Sequence, residues 1–272
     1  MYVDLKGVRL EYPAAEPRGE PVLALEELTM GVGEGEFAAV VGPSGCGKSS
    51  LMRLATGLRR PQEGDISVAG APVTGPLSIT GMAFQNPSLL PWRTTLANVM
   101  LPLEIVRPHR GRLRRHRAEY EQQAEDLLSL VGLGGFGSRF PWQLSGGMQQ
   151  RANLCRALIH DPVLLMLDEP FGALDAFTRE ELWQVMADLH AAKKFTVILV
   201  THDLREAVYL ADKVFVMSAR PGKIIAERKV PFERPRPMDL IYEREFVDLV
   251  QDLRGLIADA RSGTGAGQRA AA

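Results

Sequence analysis

Gly42-Pro43-Ser44-Gly45-Cys46-Gly47-Lys48-Ser49 follows the apolar, β-branched run Phe37–Val41 and precedes a helical pattern over Ser50–Thr56. The spacing fits G-x-x-x-x-G-K-[ST], and the strand–turn–helix setting is as diagnostic as the letters. Glycines let successive backbone N–H groups turn inward around phosphate oxygens, while the following helix points its positive dipole end at them. Lys48 is expected to reach the β- and γ-phosphates, and the Ser49 hydroxyl to ligate Mg²⁺.

Working outward, two more buried-strand patterns, Val163–Leu167 and Thr196–Val200, each lead through polar or glycine-rich residues into a helix. This alternation predicts an α/β fold with a parallel core sheet flanked by helices, a P-loop NTPase. Short segments at Val3–Leu10, Val22–Met30 and Asp65–Val68, punctuated by Gly and Pro, predict an N-terminal antiparallel β subdomain. Between about Leu89 and Phe140 the strand signal gives way to helical spacing at Leu96–Val106 and Ala118–Val131, which predicts a helical subdomain over about residues 89–160. Lys213–Met217 and Ile224–Val230 flank a turn at Ser218–Gly222 and read as a late hairpin, and Leu240–Ala260 reads as a helix. The expected division is a P-loop domain over 1–230, a helical extension over 231–261 and a flexible tail over 262–272.

A mononucleotide site needs an acidic residue ending a second strand to hold the metal. Asp168 supplies it, and Glu169, one residue on, is placed to act as general base on a water at the γ-phosphate. The alternative for the pair is a helix N-cap. Leu144-Ser145-Gly146-Gly147-Met148-Gln149 opens a helix running to His160, so Ser145-Gly146-Gly147 is a second anion-binding helix end in a chain with one phosphate loop. Two such ends make sense if each copy serves the other's nucleotide across a dimer.

Together these motifs resemble the nucleotide-binding subunit of an ABC transporter over about residues 2–225. The resemblance implies an ATP-hydrolysing, transport-coupled enzyme (a translocase) using ATP and Mg²⁺. It implies that Gly42, Pro43, Ser44, Gly45, Cys46, Gly47, Lys48, Ser49 and Ser50 cradle ATP and that Gln85 contacts Mg²⁺ alongside Ser49 and Asp168. Asp175 resembles the D-loop aspartate at a dimer seam, His202 the histidine that contacts the γ-phosphate beside Glu169, and Tyr12 the aromatic that stacks on adenine. Leu144 to Gln149 match the signature that covers the second copy's ATP. A lone histidine after a strand otherwise serves as a helix cap, and a tyrosine in a β-segment as core.

Leu90-Pro91-Trp92-Arg93-Thr94-Thr95, Phe171–Ala176 and Met217–Ile224 resemble, more narrowly, the nitrate/sulfonate/taurine importer subfamily. That resemblance implies a second copy of the chain, separate transmembrane permease subunits, and, indirectly, an extracytoplasmic solute-binding protein. It implies a peripheral place on the cytoplasmic face of the inner membrane. The alternatives are an exporter or lipid-transporter ATPase, or a soluble ABC ATPase without a transport role. Leu89, Leu90 and Trp92 are candidate permease contacts.

Lys+Arg 32 against Asp+Glu 33 leaves a net charge of -1, which disfavours a nucleic-acid partner. The six arginines and two histidines of Arg107–Arg117 read as a solvated stretch balanced by Glu119, Glu121, Glu125 and Asp126, or as a contact for anionic headgroups or a permease loop. No apolar stretch approaches the roughly 20 residues that span a bilayer. Cys46 and Cys155 are too few for a disulfide framework or zinc site. Cys46, at a helix N-terminus beside Lys48, is expected to have a lowered thiol pKa.

Overall fold

The computed structural model describes residues 1–13 and 20–262. Along the chain come β1 (Val3–Tyr12), β2 (Val22–Val32), β3 (Phe37–Val41), α1 (Lys48–Ala55), β4 (Glu63–Val68) and β5 (Ala71–Pro72). There follow β6 (Thr80–Ala83), α2 (Thr95–Val99), α3 (Leu101–Ile105), α4 (His109–Arg112), α5 (Arg117–Leu130), α6 (Gly146–Leu158), β7 (Leu164–Asp168) and α7 (Ala176–Lys193). The chain closes with β8 (Thr196–Val200), α8 (Leu204–Leu210), β9 (Lys213–Met217), β10 (Ile224–Lys229) and α9 (Arg244–Ser262). It divides into two compact units, one of residues 1–77 and 196 onward, the other of residues 78–195.

In the first unit β2-β1-β4-β5 form an antiparallel sheet. Inward residues on β1 are Val3, Leu5, Val8 and Leu10, a period of two interrupted once. A register shift between Leu5 and Val8, with Gly7 at φ 57°, absorbs the extra residue and keeps both halves facing the core. A second set of strands runs β10-β9-β3-β8, with β3 parallel to both β8 and β9 and β10 antiparallel to β9. Every residue of β3 and β8 is buried, which is why β3 is uniformly apolar and β8, after its first residue Thr196, runs apolar without alternating. Residues beyond β10 are tied to this unit by Arg236, whose buried guanidinium donates to the carbonyls of Val208, Tyr209 and Ala211 at the end of α8. Desolvation brings that guanidinium's pKa down to about 10.

In the second unit β6 and β7 pair in parallel, and α6 packs on β6 and on α2. The expected strand Val163–Leu167 is Leu164–Asp168 in the structure: pairing with β6 starts at Thr80–Leu164, and Val163, which is exposed, precedes it. The expected helix Leu96–Val106 is two short helices meeting at Met100–Leu101. Pro102 has no N–H to continue the first helix and sits instead in the opening turn of the next. Likewise Leu240–Ala260 is a 3₁₀ turn over Met238–Tyr242 followed, past the extended residue Glu243, by α9. Helix α9 runs through Ser262, where the tail was expected to start, and the remaining tail residues lie outside the described residues.

Candidate functional site

The phosphate loop leaves β3 at Val41 and enters α1 at Lys48. Gly47 takes φ 107°, and a Cβ there would stand 2.6 Å from Leu25 Cδ2 and 3.0 Å from Ala24 O, so only glycine fits both the backbone and the space. The floor of the loop is the 218–222 turn. A Cβ on Gly222 would come within 2.1 Å of Cys46 O, and Gly222 is clamped by its N–H to Ala24 O at 2.9 Å. Arg220 donates from Nε and Nη2 to Gly45 O at 3.2 and 3.0 Å. Inside the loop the Lys48 ammonium donates to Gly42 O at 2.9 Å and Pro43 O at 3.0 Å and is 8% exposed. Its oxygen acceptors are neutral carbonyls, so an anionic phosphate oxygen would be the stronger acceptor.

Tyr12, at the end of β1, shares a hydrogen bond at 3.0 Å between its hydroxyl and Ser50 Oγ, and the Arg59 guanidinium lies 4.4 Å from its ring centroid. The tyrosine is thus tied to the phosphate-loop helix, with a cation on its ring. His202 follows β8. Asp203, not His202, caps α8, accepting from the N–H groups of Arg205 and Glu206 at 2.9 and 3.3 Å. His202 is exposed and lines the same cavity as Gly42 and Ser44.

In the second unit β7 ends at Asp168, and Glu169 takes φ 48°, a left-handed conformation that costs a non-glycine residue about 1 kcal/mol or more. The amide of Gln85, two residues past β6, donates to Glu169 Oε2 at 2.9 Å. Neither acid of the pair caps a helix; Asp175 caps α7, accepting from Thr178 N–H at 3.1 Å. That backbone bond holds the Asp175 carboxyl below its ordinary range. Ser145 caps α6 by accepting from Met148 N–H at 3.3 Å. Leu144 is buried, and Gln149 turns its amide back to Pro141 O and Leu144 O at 3.0 and 3.3 Å. Ser145 and Gly146 are therefore the exposed part of this turn.

A scan against family models matches residues 25–172 to the ABC transporter model. The chain is 41% identical over 230 residues to the taurine import ATP-binding protein TauB of Pseudomonas putida, covering 85% of this chain and 83% of that protein. It is 42% identical over 228 residues to the nitrate import ATP-binding protein NrtD of Synechococcus elongatus, covering 84% and 81%. The chain belongs to the ABC transporter family. A solved ATP-binding cassette, dimeric, in a post-hydrolysis state and bound to ADP and Pi, matches with a TM-score of 0.73 at 30% identity, over 85% of this chain and 100% of that one. The protein has the P-loop cassette fold of this family and is an ABC-type, transport-coupled ATPase.

Two expectations for the cassette are corrected. Cys46 is 1% exposed, and desolvation outweighs the nearby Lys48 ammonium, so its thiol pKa is raised, not lowered. Leu89 is buried and so is no surface contact, whereas Trp92 is 70% exposed.

The cassette also contains supports that motif reading missed. Helix α6 holds the Gln85 loop: Asn153 Nδ2 and Gln150 Nε2 donate to Phe84 O at 3.0 and 3.3 Å, and Arg156 donates to Pro87 O at 2.6 Å and Ser88 O at 3.2 Å. The signal available was the run of amide and guanidinium side chains at positions 150, 153 and 156, one helix face at spacing three. Arg117 pairs with Glu121 at 2.8 Å, so part of the basic stretch is balanced locally, and His116 Nδ1 shares a hydrogen bond with Glu119 Oε1 at 3.0 Å.

Proposed function

We propose that the chain is the ATP-hydrolysing subunit of an importer for a small solute such as taurine, nitrate or a sulfonate. On this reading it works as two copies beneath separate permease subunits, at the cytoplasmic face of the membrane, with a solute-binding protein on the far side. The 40–42% identity to named import ATP-binding proteins, over four-fifths or more of both partners, carries this reading. Among the described residues no helix is long and apolar enough to cross a membrane, which suits a division of labour with a permease.

The cradle suits a nucleoside triphosphate, because the buried Lys48 ammonium donates to the neutral carbonyls of Gly42 and Pro43, which phosphate oxygens would replace as stronger acceptors. Lys48 would exchange those carbonyls for β- and γ-phosphate oxygens, and Tyr12 would take the adenine. Among the described residues no three His, Cys, Asp or Glu side chains cluster as a metal cage. Ser49, Asp168 and Gln85 would hold an ion that keeps most of its shell from phosphate and water, as Mg²⁺ does. When bound, Mg²⁺ neutralises charge developing between the β- and γ-phosphates.

Glu169 would take the proton of the attacking water as its oxygen bonds to the γ-phosphorus and the bond to the β–γ bridging oxygen breaks. Gln85 fixes the orientation of that carboxylate, and His202 would donate to the γ-phosphate. Ser145 and Gly146 would cover the nucleotide of the second copy, with Asp175 at the seam. A triphosphate gripped by both copies stabilises the closed dimer by linkage, and hydrolysis removes the bridge. The test is Glu169→Gln: ATP binding retained, turnover lowered at least a hundredfold, and an ATP-dependent dimer accumulating in size-exclusion chromatography. A variant that turns over at the wild-type rate removes Glu169 from the role of base.

A further inference from the structure

The C-terminal helix shares a cavity with the phosphate loop. This space, about 640 Å³, lies within the first unit and is lined by Gly42 and Ser44 of the loop, by His202, and by Arg254, Ala258 and Arg261 of α9, among others. Positions 254, 258 and 261 follow the i, i+4, i+7 spacing of one helix face. Phe246 and Leu253, seven residues apart and both fully buried, set the rotation of α9, which packs on α8 and β9. Two acids of the helix are engaged elsewhere, Asp252 with Arg228 at 2.7 Å and Asp248 with Arg244 at 3.7 Å. The helix therefore presents two guanidinium-bearing positions toward a loop built to hold phosphate. A guanidinium offers planar, paired donors that match phosphate oxygens, and it stays charged at every physiological pH.

We propose that Arg254 and Arg261 of α9 contact the terminal phosphate of the nucleotide seated in the same chain's phosphate loop, making the C-terminal helix a selector of triphosphate over diphosphate. The inference rests on the nucleotide reading of Gly42–Ser50 given above. The terminal phosphate is the relevant group because Ser44 and His202, on the cavity wall, belong to the phosphate end, whereas Tyr12 at the adenine end is not part of the lining.

The experiment uses the full chain carrying Glu169→Gln, so that ATP survives the titration, held below the concentration at which it dimerises. Mg-ATP and Mg-ADP affinities are measured by calorimetry for this protein, for Arg254→Gln with Arg261→Gln, and for Lys48→Ala. The expected result is a tenfold or greater loss of ATP affinity in the double arginine variant, with ADP affinity changed less than twofold. Unchanged ATP affinity overturns the proposal, as does an equal loss for both nucleotides. A gain in ATP affinity would make α9 an obstruction, and a change confined to dimerising concentrations would assign the arginines to the second copy; both overturn it. Lys48→Ala separates the two readings: if it loses both nucleotides the cradle stands whatever the arginines do, and if it binds both as before the cradle itself fails.

Discussion

The side-chain amide of Gln85 donates to the Oε2 atom of Glu169 at 2.9 Å, across 84 positions of sequence. One residue comes from the loop after β6, the other from the end of β7, and the parallel pairing of those strands from Thr80–Leu164 to Ala83–Leu167 brings the two loops out at the same end. On the proposed function, the bond makes Gln85 a positioning residue for the carboxylate that would act as base.

Gln85→Ala is expected to lower kcat about tenfold, the equivalent of ~1.4 kcal/mol of lost positioning, while the KM for ATP changes little. Phosphate release measured across a range of ATP concentrations checks it. An unchanged kcat would show that Glu169 needs no such orientation.

Asn153 is fully buried, donating to Phe84 O and accepting from Arg156 Nη2 at 2.7 Å. Asn153→Ala strips the loop of one tie and leaves a buried donor short of its acceptor, at a cost of about 1–3 kcal/mol. Urea unfolding should show that loss, and hydrogen exchange at residues 85–88 should speed up. Exchange that stays as slow as in the wild type would mean that Gln150 and Arg156 suffice.

Cys155 is wholly buried, donates to Leu127 O at 3.3 Å, and has its thiol pKa pushed up to about 12 from 9.0 by desolvation. The folded state thus holds this proton more tightly than the unfolded state. Its contribution is fully present below pH 9 and is lost as the pH rises from there toward 12, at up to about 1.4 kcal/mol per unit. Stability should therefore fall with pH more steeply in the wild type than in Cys155→Ala between pH 9 and 10.5. Parallel curves would show that the thiolate is tolerated in the interior.

Much of the molecule could be read from local pattern. The apolar runs within strands β3, β7 and β8, the glycine-lysine-serine loop and the late hairpin occupy nearly the positions that their pattern predicts, because each is specified by neighbours in the chain. Boundaries slipped where a single residue decided the matter, as at Pro102, Glu243 and Val163. The acidity of Cys46 was misjudged because the loop motif shows the adjacent lysine and helix end, whereas the burial that outweighs them comes from the packing around the loop.

The phosphate loop's conformation belongs to its own eight residues, since backbone N–H groups converge only if glycines there accept left-handed angles. Its footing does not. Leu25, Arg220 and Gly222 reach it from remote segments, and nothing in their local pattern marks them as supports, because what matters is a carbonyl or methyl arriving at contact distance. The spacing of Asn153 and Arg156 marks a shared face of α6, but not that this face meets the Gln85 loop, just as nothing in α9 marks Arg254 and Arg261 as lining one cavity with Ser44. Short-range torsional preference can be read residue by residue; a close approach between distant segments exists only once the strands of each unit have paired and its own helices have packed against them.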